Sequence, residues 1–174
     1  ISTMMGMFVQ NRNLEQKVIQ NADNDVLTGL YNYRKIQQIC NVELAKAKID
    51  NYHLSIIMLD INNMMSINKE FGCQKGDEII QIVAKKIKEL INFDKYYASR
   101  YVSDDFCIIM PNTDENEANE FSGRIKYSLS CQNIDDVGPI KVSIGVITVN
   151  QINEDFDVEK VFSLAKQAMY ISKS

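Results

Sequence analysis

Residues His53 to Ile61, H-L-S-I-I-M-L-D-I, form a nearly continuous apolar run that carries an aspartate at its end. The run lacks the polar half of an alternating strand, so it predicts a strand covered on both faces. Such a strand needs helices on either side of it, which selects a layered α/β architecture. It also delivers one carboxylate, Asp60, to the end of a buried strand.

The flanking sequence supplies the cover. Asn32 is a good N-cap for a helix over Tyr33 to Asp50, with Ile36, Ile39, Cys40, Leu44 and Ala47 as its apolar stripe. A short helix should follow the strand and end near Gly72. A longer one runs from Asp77 to Ile91 through Ile79, Ile80, Val83 and Ile87. Tyr96 to Tyr101 and Phe106 to Met110 predict two strands around the turn 102–105, a hairpin that Pro111 ends. Further on come a helix over Asp114 to Cys131, a strand over Ile140 to Val149 and a helix over Asp157 to Ser172. A hairpin inside an alternation of helices and strands means a mixed sheet rather than a parallel one.

At 174 residues the chain suits one domain plus a short extension. The division expected is a helical linker or stalk over 1–24 and a globular domain over 25–174. Met7, Leu14 and Val18 fall at heptad-like spacing, which suits a stalk able to pair, although Asn11 and Asn21 occupy seam positions. Ile1 to Val9 is too short to span a bilayer. Two readings of it stand: the last turns of a transmembrane or linker helix, or a fraying end. The first residue is isoleucine, so a longer chain with an upstream sensor or membrane segment is expected.

A net charge of -4 gives no counterion-release drive toward nucleic acid, so a general DNA or RNA binder is not expected. The four cysteines form no C-x-x-C pair and there is one histidine, which argues against a zinc site. Scattered single cysteines read as reduced and cytoplasmic.

Asp104 and Asp105 lie in the hairpin turn. If the buried strand pairs with the hairpin, they converge with Asp60 at one sheet edge. Clustered carboxylates suit magnesium or manganese, held together with substrate phosphates. Acidic residues also favour strand ends and turns for local reasons, and that reading stays open.

Six blocks then carry a resemblance. They are L-T-G-L-Y-N at 27–32, L-D-I-N-N-M-M-S-I-N at 59–68, F-G-C-Q-K-G-D at 71–77, R-Y-V-S-D-D-F at 100–106, V-S-I-G-V at 142–146 and A-K-Q-A-M-Y-I-S-K at 165–173. In this order and at this spacing they resemble the GGDEF domain family, the diguanylate cyclases. The resemblance implies a palm-like, five-stranded sheet flanked by helices. It also implies two domains meeting head to head, each with one GTP, to make cyclic di-GMP. By position it makes Asp60 and the backbone carbonyl of Ile61 metal ligands. Asp104 becomes a metal-associated carboxylate and, with Asp105 where the family has glutamate, a catalytic one. Asn68 and Asp77 become the pair that reads guanine, and Lys173 a phosphate-binding lysine. Apart from the resemblance, Asn68 and Asp77 read as helix caps and Lys173 as a solvated end.

The departures are specific. Val102 and Ser103 replace the two glycines of the signature, where a positive φ costs a side chain roughly 1–2 kcal/mol. Met65 replaces a lysine, Asn62 an aspartate and Cys73 a histidine. Phe93 and Tyr96 stand where many members carry the R-x-x-D product site, so product feedback is not expected. The expected function is a degenerate, catalytically silent domain that binds GTP or a related nucleotide and acts as a regulatory or dimerising module, as a homodimer or with another signalling domain. The alternatives are a slow diguanylate cyclase and a pure interaction scaffold.

Overall fold

The computed structural model describes residues 2–150 and 156–173, excluding the side chains of residues 2, 3 and 16–21. Helix α1 (Ser2–Asp23) leads into the turn 24–32. Its Met7 and Leu14 are exposed, while Val18, the third residue of the predicted seam, has its side chain outside the described set. No helix among the described residues is long and apolar enough to cross a membrane.

The elements that follow are α2 (Tyr33–Asp50), β1 (Leu54–Ile61), α3 (Met64–Phe71), α4 (Cys73–Leu90), β2 (Tyr97–Val102) and β3 (Asp105–Pro111). Then come α5 (Glu115–Ser130), β4 (Asn133–Ile134), β5 (Gly138–Pro139), β6 (Val142–Val149) and α6 (Val158–Lys173). Asn32 caps α2 by accepting from the Lys35 amide, as its residue type predicts. Asp114 caps α5 in the same way through the Glu117 amide. The α4 helix begins at Cys73, earlier than the apolar stripe indicated, because Gly72 closes α3 and opens α4 at once.

The main sheet has the order β2-β3-β1-β6 with every strand pair antiparallel. The sheet thus has four strands where five were expected, and a lone bridge, Tyr31 to Ser99 in parallel, lies at the outer edge of β2. A separate β4–β5 ribbon precedes β6. All eight residues of β1 are buried, the outcome its composition required.

The two faces of β1 feed two cores. Ile57, Leu59 and Ile61 pack with α4 and α5, through Ile79, Val83, Phe121 and Ile125. Leu54, Ile56 and Met58 pack with α2 and α6, through Ile36, Cys40, Val161 and Met169. Side chains alternate along a strand, so Asp60 shares the α2–α6 face with Met58. On β3 the same parity puts Asp105 on the face of Cys107 and Ile109, which belong to that same core.

Gly145 of β6 sets how closely α6 can approach. A Cβ there would fall 2.1 Å from the Met169 amide nitrogen and 2.5 Å from the Ala165 carbonyl oxygen, both backbone atoms. Glycine is required because the helix backbone lies directly on the strand.

Candidate functional site

Asp60 and Asp105 are direct cross-strand partners, and on the other side Asp60 pairs with Ser143. The hairpin closes through a Val102–Asp105 pair, so its loop is the two residues Ser103 and Asp104. This is tighter than the four-residue turn expected. It brings Asp104 beside the other two carboxylates: Asp60, Asp104 and Asp105 each offer an oxygen within 4.8 Å of the others.

The turn corrects one sequence expectation. Ser103 has φ of 54°, in the left-handed region, but Val102 is a strand residue with no positive φ. The second signature position therefore carries the conformational demand of a glycine, and the first does not. The Val102 side chain is 51% exposed at this edge. The turn is braced by Arg100, whose Nε donates to the Ser103 carbonyl at 2.7 Å. The same guanidinium pairs with Asp25 at 3.3 Å. Asp25 in turn accepts from the Thr28 amide and hydroxyl at 2.9 and 2.7 Å, so the 25–30 turn and the hairpin are tied together. Sequence reasoning did not assign Arg100 or Asp25 to the site; Arg100 opens a block it quoted, and Asp25 lies two residues before another.

Burial pushes the Asp105 carboxyl up, and the shared contact and charge of Asp60 and the charge of Asp104 add to the rise, with Lys166 opposing. Asp104 is raised by burial first and by Asp60 next, against hydrogen bonding from its own amide and from Ser103. Three carboxylates this close repel one another, which is the electrostatic condition for holding a cation. Asp60 is 6% exposed, and among the described residues its Oδ2 has no partner other than Lys173. That oxygen forms an ion pair with the Lys173 ammonium. Contact with Asp60 and the charges of Asp104 and Asp105 raise the Lys173 pKa. A buried carboxylate beside two others that repel it fits a hard divalent cation. Lys173, expected at phosphate, is engaged with the carboxylates instead.

Ile61 ends β1 next to Asp60 and is 2% exposed. Asn62 does not join the cluster; its Oδ1 accepts from Ser143 Oγ at 2.8 Å. Met65, where the family pattern has a lysine, is 87% exposed.

Asn68 and Asp77, expected to read the base, sit on the helix pair across from this edge. Asn68 lies on α3 with a buried Oδ1 that has no partner among the described residues. It packs against Gly76 of α4, where a Cβ would stand 1.9 Å from that oxygen. Gly76 thus admits Asn68 to the α4 backbone, and the next residue, Asp77, is exposed. A cavity of about 560 Å³, lined by Asn63, Ser66, Glu70, Asp136 and Lys141, lies against a different face of α3, and none of the three carboxylates lines it. At the position of the product site, Phe93 is exposed and the Tyr96 hydroxyl donates to Glu117 at 2.8 Å, leaving no arginine there to grip a phosphate.

Fold and site together define an antiparallel palm whose central strand and hairpin present a carboxylate cluster of the kind that holds divalent metal. The chain belongs to the GGDEF domain family: the model described as "Diguanylate cyclase, GGDEF domain" matches residues 22–174. It is 31% identical over 154 residues to Diguanylate cyclase DosC of Escherichia coli, covering 86% of this chain and 32% of that protein. The chain thus spans about a third of that relative's length, and about half that of a diguanylate cyclase from Vibrio cholerae to which it is 29% identical over 161 residues, 92% of this chain and 49% of that one. In structure it resembles the coiled coil and GGDEF domain of DgcB from Caulobacter crescentus, solved with c-di-GMP, at TM-score 0.90 and 22% identity over 99% of this chain and 91% of that one. It also resembles the active GGEEF domain of a diguanylate cyclase from Vibrio cholerae, at TM-score 0.74 and 28% identity over 82% of this chain and 90% of that one.

Proposed function

We propose that this domain binds GTP or a related guanine nucleotide together with magnesium or manganese, and acts as a regulatory or dimerising module whose cyclase chemistry is silent. The observation that carries the reading is a split in the site. The carboxylates converge and Asn68 keeps an unpartnered carbonyl, while the exposed side chains of Val102 and Met65 stand where the family pattern has glycine and lysine. Asp60, Asp104 and Asp105, with the Ile61 carbonyl, are the residues that would hold the ion, which when bound neutralises phosphate charge. Asp77 accepts from the N–H edge of guanine and Asn68 fixes it in plane; adenine lacks those donors and would leave a carboxylate unpaired. Lys173 shifts between Asp60 and a phosphate. With methionine rather than a cation at position 65 and Val102 at the turn, the triphosphate loses two supports, and a displacement of about 1 Å costs on the order of a hundredfold in rate.

The domain would work as a homodimer or beside a heterologous signalling domain, in the cytoplasm where GTP and magnesium are supplied, downstream of a sensor or membrane segment. A stalk over 1–24 and a nucleotide domain over 25–174 is the division this implies. A slow diguanylate cyclase is the second reading; the close approach of Asp104 and Asp105 to Asp60 favours it. Incubation with magnesium or manganese and GTP at high protein concentration, followed by chromatography, separates the two. Cyclic di-GMP in the product overturns the silent reading. Calorimetry with a non-hydrolysable GTP analogue should then show magnesium-dependent binding that Asp77→Ala weakens. No heat and no change in Tm would leave a scaffold without nucleotide.

A further inference from the structure

A second cleft opens on the α2–α6 side of the sheet, with a volume of about 410 Å³. Its lining includes Tyr33 from α2, Tyr101 from β2 and, from α6, Glu159, Phe162, Lys166 and Tyr170. Volumes of about 300–1,000 Å³ hold small molecules. Tyr101 and Phe162 make the floor, buried and meeting edge to face with ring centroids 5.3 Å apart. Tyr33 and Tyr170 are walls, 41% and 56% exposed. Tyr33 is held in place: its ring packs on Tyr101 at 4.9 Å, and its hydroxyl accepts from Gln37 Nε2 at 2.6 Å.

Lys166 is half-buried in this cleft, with its Nζ 4.7 Å from the Tyr101 ring centroid. Among the described residues it forms no ion pair and no hydrogen bond. A cation held over an aromatic face with no anion in contact is a receptor for one. Glu159 lies seven residues earlier on the same face of α6, about 10 Å away along the axis. Tyr170 lies one turn beyond Lys166, on the far side from Glu159, so exposed aromatic rings adjoin an ammonium, a match for a planar base that carries an anion.

We propose that this cleft binds a nucleoside monophosphate group, its base between Tyr33 and Tyr170 and its phosphate on Lys166. It is separate from the Asn68–Asp77 site: α3 and α4 cover the opposite face of the sheet from α6. A mononucleotide and one half of a cyclic dinucleotide present the same group, so both are sources to be told apart.

The test is calorimetric titration of the Asp77→Ala protein in EDTA, which removes the guanine contact and the cation of the other site in every arm. Asp77 is exposed, so the fold tolerates the change. The probes are 5′-GMP, 5′-AMP, cyclic di-GMP and inorganic phosphate. One nucleotide per chain should bind, weakened about tenfold or more by Lys166→Met and again by Tyr170→Ala, the scale of a lost charge pair or one stacked base. Inorganic phosphate should bind at least about tenfold more weakly than the nucleotides. Whether GMP or cyclic di-GMP binds tighter identifies the source. No heat with any nucleotide at millimolar concentration overturns the proposal, as does an affinity unchanged in both variants, or phosphate matching the nucleotides. A wild-type protein that fails to bind GTP with magnesium would sink the proposed function while leaving these results to stand or fall alone.

Discussion

Ser103 and Val102 occupy neighbouring signature positions and should respond to glycine in opposite ways. Ser103 sits at φ of 54°, so Ser103→Gly relieves strain of about 1 kcal/mol, partly offset by the freer unfolded chain. The expected outcome is a rise in Tm of about 1–2 °C. Val102 is extended in β2, so Val102→Gly relieves nothing and removes a strand former, at a cost of about 1 kcal/mol. Thermal melts of the two single variants check this, and equal shifts would refute it. If crowding by the valine is the main defect in phosphate alignment, Val102→Gly is the change that raises nucleotide turnover despite its cost in stability.

The carboxylate cluster makes a prediction with a definite sign. Asp105 and Asp104 hold protons more tightly in the fold than at the ordinary aspartate value of 3.8. The folded state therefore binds more protons than the unfolded chain, and this contribution to stability is lost as pH rises from there toward neutrality. Asp105→Asn should match the metal-free wild type in Tm near pH 4 and exceed it near pH 8. Magnesium should stabilise the wild type at pH 8 far more than the variant. Differential scanning at the two pH values, with and without the ion, reads both effects.

At the scale of elements, two glycines hold the site together without touching a ligand. Gly145→Ala sets a methyl against the α6 backbone and must displace the helix that carries Lys166 and Lys173. A cost of about 3 kcal/mol or more is expected, because neither backbone can yield as a side chain would. Gly76→Ala instead drives Asn68 from its position. It should lower Tm less, yet reduce discrimination between GTP and ATP by about tenfold in competition binding. A Gly76→Ala protein with intact selectivity would remove Asn68 from base reading.

Much of this level was legible in the sequence. The β1 run, the Asn32 cap and the α2 boundaries follow from apolar pattern and capping chemistry alone. The α4 start was not, because Gly72 serves both helices and the apolar stripe begins only a turn later. The Arg100–Asp25 tie was not, since 75 residues separate its ends and nothing local marks them as partners. Lys173 was named but its neighbour was not. Its pairing with Asp60 depends on the parity of β1 and the packing of α6, which composition does not encode.

At the scale of the whole molecule, the sheet divides the work. The clustered carboxylates lie on the α2–α6 face at the β1–hairpin edge, and Asn68 and Asp77, the proposed base-reading pair, lie on the α3–α4 pair that covers the opposite core. Changes to one half need not disturb the other. GTP and GDP should therefore bind within about tenfold of each other, since the triphosphate tail adds little where its supports are missing. An intact phosphate site would favour GTP far more strongly in magnesium. Titration of both nucleotides at one ionic strength decides it.

Gly72 belongs to two helices at once, which leaves no slack between Asn68 and Asp77. Adding or removing one residue there would rotate α4 by about 100° relative to α3 and turn Asp77 away from the base. Relatives that still read guanine should therefore keep the length of this window fixed, even where every residue between its ends has drifted. A gap in that stretch would mark lineages that have given up the nucleotide more reliably than any change in the signature turn.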